Sequence, residues 1–238
     1  MQASGFIRRA AILAAGRGTR MGEITAEVPK PMLPVRGRPM LAHVLKRLHV
    51  AGVEQFLVVV GYRREVIEEH FQGWPGITFR EQYPVDGTGS AARLARDFAG
   101  GEPFFLTFGD ILCEPAAYLA CGRVLEEHSA TGAVLGARYV PDPCAGAAVY
   151  EDGGRVSRVI EKPPPGTSTT HWNSAGLYAM RSVVFDYLDR LERSPRNEYE
   201  LTSIFETMLR DGIELRMSPV EGVWRDVGRP GDLAALNG

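Results

Sequence analysis

Apolar residues along this chain follow two alternating rhythms. Short apolar runs of strand length lie near residues 10–15, 55–61, 76–82, 103–109 and 133–140. Between them, near 39–51, 64–71, 88–98 and 115–129, apolar residues recur three and four apart, the spacing that gives a helix one apolar face. Strands alternating with amphipathic helices predict an α/β fold whose mostly parallel sheet is covered on both faces. In such sheets ligands gather beyond the carboxyl ends of the strands.

After about residue 132 the pattern changes. Residues 147–161, A-A-V-Y-E-D-G-G-R-V-S-R-V-I-E, read as a hairpin turning at Asp152 and Gly153. A strand near 173–180, helices near 182–192 and 198–211, and strands near 213–219 and 222–227 follow. No linker, repeat or low-complexity run separates the two parts, and P-P-P at 163–165 is a stiff surface connection. The expectation is one domain over 1–238 with two lobes, about 1–132 and about 133–238.

Composition narrows the classes. At 238 residues, 45% hydrophobic and 24% charged, the chain can bury one substantial core. Twenty-seven basic against 29 acidic residues leave a net charge of -2, no field to hold nucleic acid or acidic lipid. Cys113, Cys121 and Cys144 lack C-x-x-C spacing and the five histidines do not cluster, so neither a disulfide framework nor a zinc site is indicated, and a reducing cytoplasm fits. Arg8 and Arg9 before A-A-I-L-A-A imitate a secretion signal, but the apolar stretch is short and runs into a charged loop. No apolar run approaches the roughly 20 residues that span a bilayer.

The most informative string is L-A-A-G-R-G-T-R-M-G-E-I-T-A-E-V-P-K-P at 13–31. Gly16 and Gly18 let backbone N–H groups approach an anion with no Cβ in the way. Arg20 offers a planar fork to phosphate oxygens, and Lys30 a compact charge between Pro29 and Pro31. Two cations beside one anion nest suggest a polyphosphate. The string matches neither the dinucleotide fingerprint, since Met21 holds the place of its third glycine, nor the P-loop.

This string resembles the signature of the sugar-1-phosphate nucleotidyltransferases, L-A-G-G-x-G-T-R-L followed about ten residues later by P-K-P, with Ala15 in place of one glycine. Further matches run in order along the chain: E-Q-Y-P-V-D-G-T-G-S-A at 81–91, F-G-D at 108–110, E-K-P at 161–163, N-S-A-G-L-Y at 173–178 and W-R-D-V-G at 224–228. The resemblance implies a Rossmann-like three-layer sandwich with a mixed, mostly parallel central sheet, the fold of nucleotide-diphospho-sugar transferases. It also implies a nucleoside triphosphate and a sugar 1-phosphate as partners, Mg2+ as cofactor, and often a homo-oligomer.

Carried over residue by residue, the resemblance implies that Leu13, Ala15, Gly16, Gly18 and Thr19 hold the nucleotide. Gln82, Gly87 and Thr88 would meet its base and ribose, the glutamine amide being able both to donate to and to accept from uracil or thymine. Asp110 and Asp226, each after a strand, would hold magnesium. Gly146, Glu161 and Asn173 would meet sugar hydroxyls, with Ala145 where relatives often carry an aromatic. Arg20, Lys30 and Lys162 would offset the charge of the phosphates. The expected reaction is in-line attack of the sugar phosphate on the α-phosphorus of dTTP or UTP with loss of pyrophosphate. A member using GTP or CTP on a mannose, heptose or non-sugar phosphate, or a non-catalytic regulatory relative, are the alternatives. Because the chain ends about a dozen residues after Asp226, the β-helix tail and acyltransferase activity of some relatives are not expected.

Overall fold

The computed structural model describes residues 7–238. In chain order its elements are β1 (Arg9–Leu13), β2 (Pro34–Val35), β3 (Arg38–Pro39), α1 (Met40–Val50), β4 (Gln55–Val60), α2 (Arg64–His70), β5 (Ile77–Glu81), α3 (Thr88–Arg93), α4 (Arg96–Ala99), β6 (Phe104–Phe108), β7 (Ile111–Cys113) and α5 (Pro115–Glu127). Then come β8 (Thr131–Tyr139), β9 (Ala147–Asp152), β10 (Arg155–Glu161), β11 (Trp172–Met180), α6 (Val184–Asp189), α7 (Ser203–Arg210), β12 (Glu214–Pro219), β13 (Trp224–Asp226) and α8 (Pro230–Asn237).

Among the described residues, nine strands form one sheet in the order β5-β4-β1-β6-β11-β8-β12-β10-β9. The first four are all parallel; β11 then joins β6 antiparallel and the remainder is mixed, with β8 and β12 parallel. The period of two along each strand divides its side chains between two cores. Ala10 and Ile12 of β1 and Val58 and Val60 of β4 face α1, α2 and α5 on one side of the sheet. Ala11, Leu13, Leu57 and Val59 face α3, α4, α6 and α7 on the other. The result is an α/β three-layer sandwich, and both cores draw residues from before and after residue 132. No helix among the described residues is long and apolar enough to cross a membrane.

Several local expectations need correction. The helix expected over 88–98 is two short ones, α3 and α4, separated at Leu94 and Ala95. The helix expected from 198 starts only at Ser203, because residues 199–201 spend their backbone groups elsewhere. Tyr199 accepts from Gly89 N (2.7 Å) and donates to Asp86 O (3.0 Å), and Leu201 N donates to Thr88 Oγ1 (3.0 Å). The small β7–β13 ladder was not expected as a pairing, nor was α8.

Phe105 lies at 2% exposure on β6, edge-on to Tyr118 of α5 with ring centroids 5.6 Å apart. Phe105→Ala should cost about 3–5 kcal/mol of unfolding free energy, read as a lower urea midpoint with unchanged slope. A loss under about 1 kcal/mol would mean that the sheet and α5 are not packed as described.

Candidate active site

The carboxyl ends of β1, β5 and β6 open on one cleft of about 670 Å³ that extends across to β9, β10 and β11. Every residue singled out from the sequence lines it except Thr19, which is exposed where the chain turns into a short 3-10 segment, Thr19–Thr25.

Leu13 and Ala15 leave β1 into the glycine-rich turn. Gly18 takes the left-handed conformation (φ 69°, ψ 39°), and a Cβ built there would stand 2.9 Å from Cβ of Lys30. Glycine is required twice over at this position, by backbone conformation and by the close pass of Lys30.

Lys30 is only 6% exposed, and a buried ammonium is tolerated only where it is paired. Its Nζ contacts Asp110 Oδ2 directly and lies 4.0 Å from Asp226 Oδ1. Backbone pairing holds the two carboxylates together. Gly109 N donates to Leu13 O (2.9 Å), which extends the β1–β6 ladder up to Asp110, and β7 then pairs with β13 so that Asp226 stands opposite Ile111. Val227 N donates back to Asp110 O (3.2 Å). Arg20 completes the group: a Cβ built on Gly228 would stand 3.8 Å from Asp226 Oδ1 and 3.9 Å from an Arg20 guanidinium nitrogen.

Gln82 is 5% exposed, and its Nε2 donates to Gly87 O and Ser90 Oγ, both at 2.8 Å. The expectation that both ends of this amide are free to meet a base is thus corrected: Oε1 remains as an acceptor. Gly87 (φ 142°) lies so close to residue 199 that a Cβ would come within 2.3 Å of Tyr199 O, and Thr88 is tied to Leu201. The base-side segment and residues 199–201 form one unit.

Across the cleft, Lys162 is a non-glycine residue at φ 43°, fixed by donation of its N–H to Gly146 O (2.7 Å). A strained backbone that the surroundings hold in place is common at functional positions. Gly146 has no room for a side chain, since a Cβ would stand 2.6 Å from Asn173 Oδ1, an oxygen that is buried without a hydrogen-bond partner. Glu161 accepts from Thr202 Oγ1 (2.9 Å), and its Oε1 is approached by Arg196 (3.3 Å) and by Lys162 Nζ (3.9 Å). Arg196 also donates to Glu200 Oε1 (2.6 Å), and Glu200 is 7% exposed. Arg196 and Glu200 are not among the residues selected from the sequence, because 198–211 reads there as one helix; the resemblance brings Glu198 or Glu200 near the sugar only in some relatives, and the signal available is Arg196 with Glu198 and Glu200 two and four residues on.

A family model described as Nucleotidyl transferase matches residues 9–237. The chain is 31% identical over 229 residues to the "Bifunctional protein GlmU" of Methanocaldococcus jannaschii, covering 96% of this chain and 53% of that protein. It spans about half the length of the first such relatives. It is 29% identical over 255 residues to the "UTP--glucose-1-phosphate uridylyltransferase" of Staphylococcus haemolyticus, covering 93% of this chain and 88% of that one. Among solved structures, a putative glucose-1-phosphate thymidylyltransferase from Bacillus anthracis superposes with a TM-score of 0.83 at 25% identity, over 96% of this chain and 93% of the other.

Burial and the neighbouring Asp110 raise the Asp226 carboxyl above the usual aspartate range, with Lys30 and Arg20 pulling the other way. A carboxyl raised in the folded state binds more protons folded than unfolded, so its contribution to stability falls as pH rises through the ordinary carboxylate range to the raised value. Asp226→Asn removes that charge. In EDTA at pH 7 it should melt higher than the wild type, with the gap closing below about pH 4, near the unfolded aspartate value. A lower melting temperature at pH 7 would show that attraction to Lys30 outweighs the repulsion.

Proposed function

The chain belongs to the nucleotidyl transferase family, and we propose that it transfers the nucleoside monophosphate part of dTTP or UTP to a sugar 1-phosphate, releasing pyrophosphate. The observation that carries this reading is the convergence on one cleft of two cationic groups from opposite sides. Arg20 and Lys30 stand at the glycine-rich turn, while Lys162 and Arg196 meet over Glu161. Two phosphorylated substrates repel each other, and a cleft with cations on both walls offsets that repulsion and aligns the reacting groups. The sugar-phosphate nucleophile has a second pKa near 6 and is already largely ionised at neutral pH, so no general base is needed.

Each wall has its task. The N–H groups around Gly16 and Gly18, with Arg20, take the leaving phosphates, and Lys30 the reacting one. Lys162 and Arg196 hold the phosphate of the sugar, while Glu161 and Asn173 meet its hydroxyls. Gln82 Oε1 accepts from the imide N–H of uracil or thymine, a donor that cytosine and adenine lack at the matching position. The uridylyltransferase relative, matched over 88% of its length, supports the same base class.

Asp110 and Asp226 fit magnesium: two hard carboxylate-oxygen donors, held near each other by the β7–β13 ladder. When bound there, the ion would supply positive charge where phosphate charge accumulates. Lys30, paired with Asp110 here, would be the residue that turns to the substrate phosphate.

Pyrophosphate release, measured for the four triphosphates against a panel of sugar 1-phosphates, should be supported by dTTP or UTP and abolished by EDTA. Asp110→Asn should lower kcat by about a hundredfold or more while the melting curve stays cooperative. Arg196→Ala should raise the KM for the sugar phosphate with little change in the KM for the triphosphate. Full activity of Asp110→Asn at saturating magnesium would overturn the assignment.

A further inference from the structure

The dipeptide Gly61-Tyr62, where β4 ends, is not part of any cleft-lining group, yet it touches the phosphate loop at both of its ends. Tyr62 N donates to Ala15 O (3.0 Å), where the loop leaves β1. The Tyr62 hydroxyl reaches Thr25 O (3.1 Å) and Ala26 O, where the loop's 3-10 segment finishes. Its ring lies under the guanidinium of Arg17, 5.4 Å from the centroid, and Arg17 sits between the two glycines that line the cleft.

The contacts continue inward. Thr25, 3% exposed, donates its hydroxyl to Gly18 O and Gly22 O, both 3.2 Å, and Gly18 packs against the stem of Lys30. Gly61 allows the approach, since a Cβ there would stand 2.8 Å from Ala15 O and 2.9 Å from Val85 Cγ2 on the base-side segment. A loop of glycines has little stiffness of its own, and aligning several N–H groups on one anion costs conformational entropy unless something already holds the turn.

We propose that Tyr62 is a positioning residue for the triphosphate: it clamps residues 15 and 25–26 so that the loop between them is shaped for phosphate before the nucleotide binds. This rests on the nucleotidyl-transfer reading above. The clamp acts on nucleotide affinity and is spectator to the transfer step, because its contacts are complete without substrate.

The test is Tyr62→Phe, which keeps the ring and removes the hydroxyl, in the full chain with magnesium and whichever of dTTP or UTP the wild type turns over. Its triphosphate Kd and KM should rise about fivefold, the worth of one neutral hydrogen bond. The KM for the sugar phosphate and kcat should stay within twofold. Amide hydrogen exchange over residues 16–26 should be faster than in the wild type without nucleotide and equal to it at saturation, a signature that a merely structural role would not give. Equal triphosphate Kd in the two proteins would overturn the clamp and leave the function standing. A wild type that binds no triphosphate would overturn both.

Discussion

A lysine ammonium held almost out of water between two carboxylates is the constraint around which this molecule is arranged. Left unpaired, it would be expelled or neutralised; left without a second carboxylate, it would form an ordinary ion pair with no capacity beyond structure. Here Lys30 faces both Asp110 and Asp226, and burial together with mutual repulsion keeps Asp226 reluctant to ionise. In the function proposed above, such a cluster would exchange charge with a divalent cation on one side and phosphate oxygens on the other.

The backbone holds this cluster with short-range devices. Gly18 gives Lys30 passage, Pro29 and Pro31 fix the chain on either side of it, and a three-residue ladder aligns Asp226 beside the end of β6. The opposite wall is fixed differently, by a strained Lys162 tied to Gly146 and by Arg196 shared between two glutamates. What joins the walls is β11, which pairs antiparallel with β6 on one edge and with β8 on the other. The sheet is continuous through the cleft floor, so both sets of cations stand on one folded framework.

Much of this was legible in the sequence because it is local. The strands of the first half announce themselves by buried apolar runs, and the glycine-rich turn by residues whose chemistry has few other uses. The features that were not legible are those decided by distant partners. A three-residue strand such as β7 has no periodicity to detect and exists because β13 pairs with it. Residues 198–202 have the composition of a helix start, but Tyr199 and Leu201 bond to 86–89 instead, and Arg196 and Glu200 enter the cleft as a result. The amide of Gln82 reads as free at both ends until Ser90 and Gly87 are seen to hold its nitrogen. Thr19 shares the signature with its neighbours, yet the turn leaves it outside the cleft.

The most direct test is crystallographic. Crystals of the full chain with manganese and a non-hydrolysable analogue of dTTP or UTP should show one anomalous peak within coordinating distance of both Asp110 and Asp226. Lys30 should have turned from Asp110 to a phosphate oxygen. A triphosphate bound away from the Gly16–Gly18 turn, with Lys30 still paired to Asp110 and no metal between the carboxylates, would contradict the account at its centre.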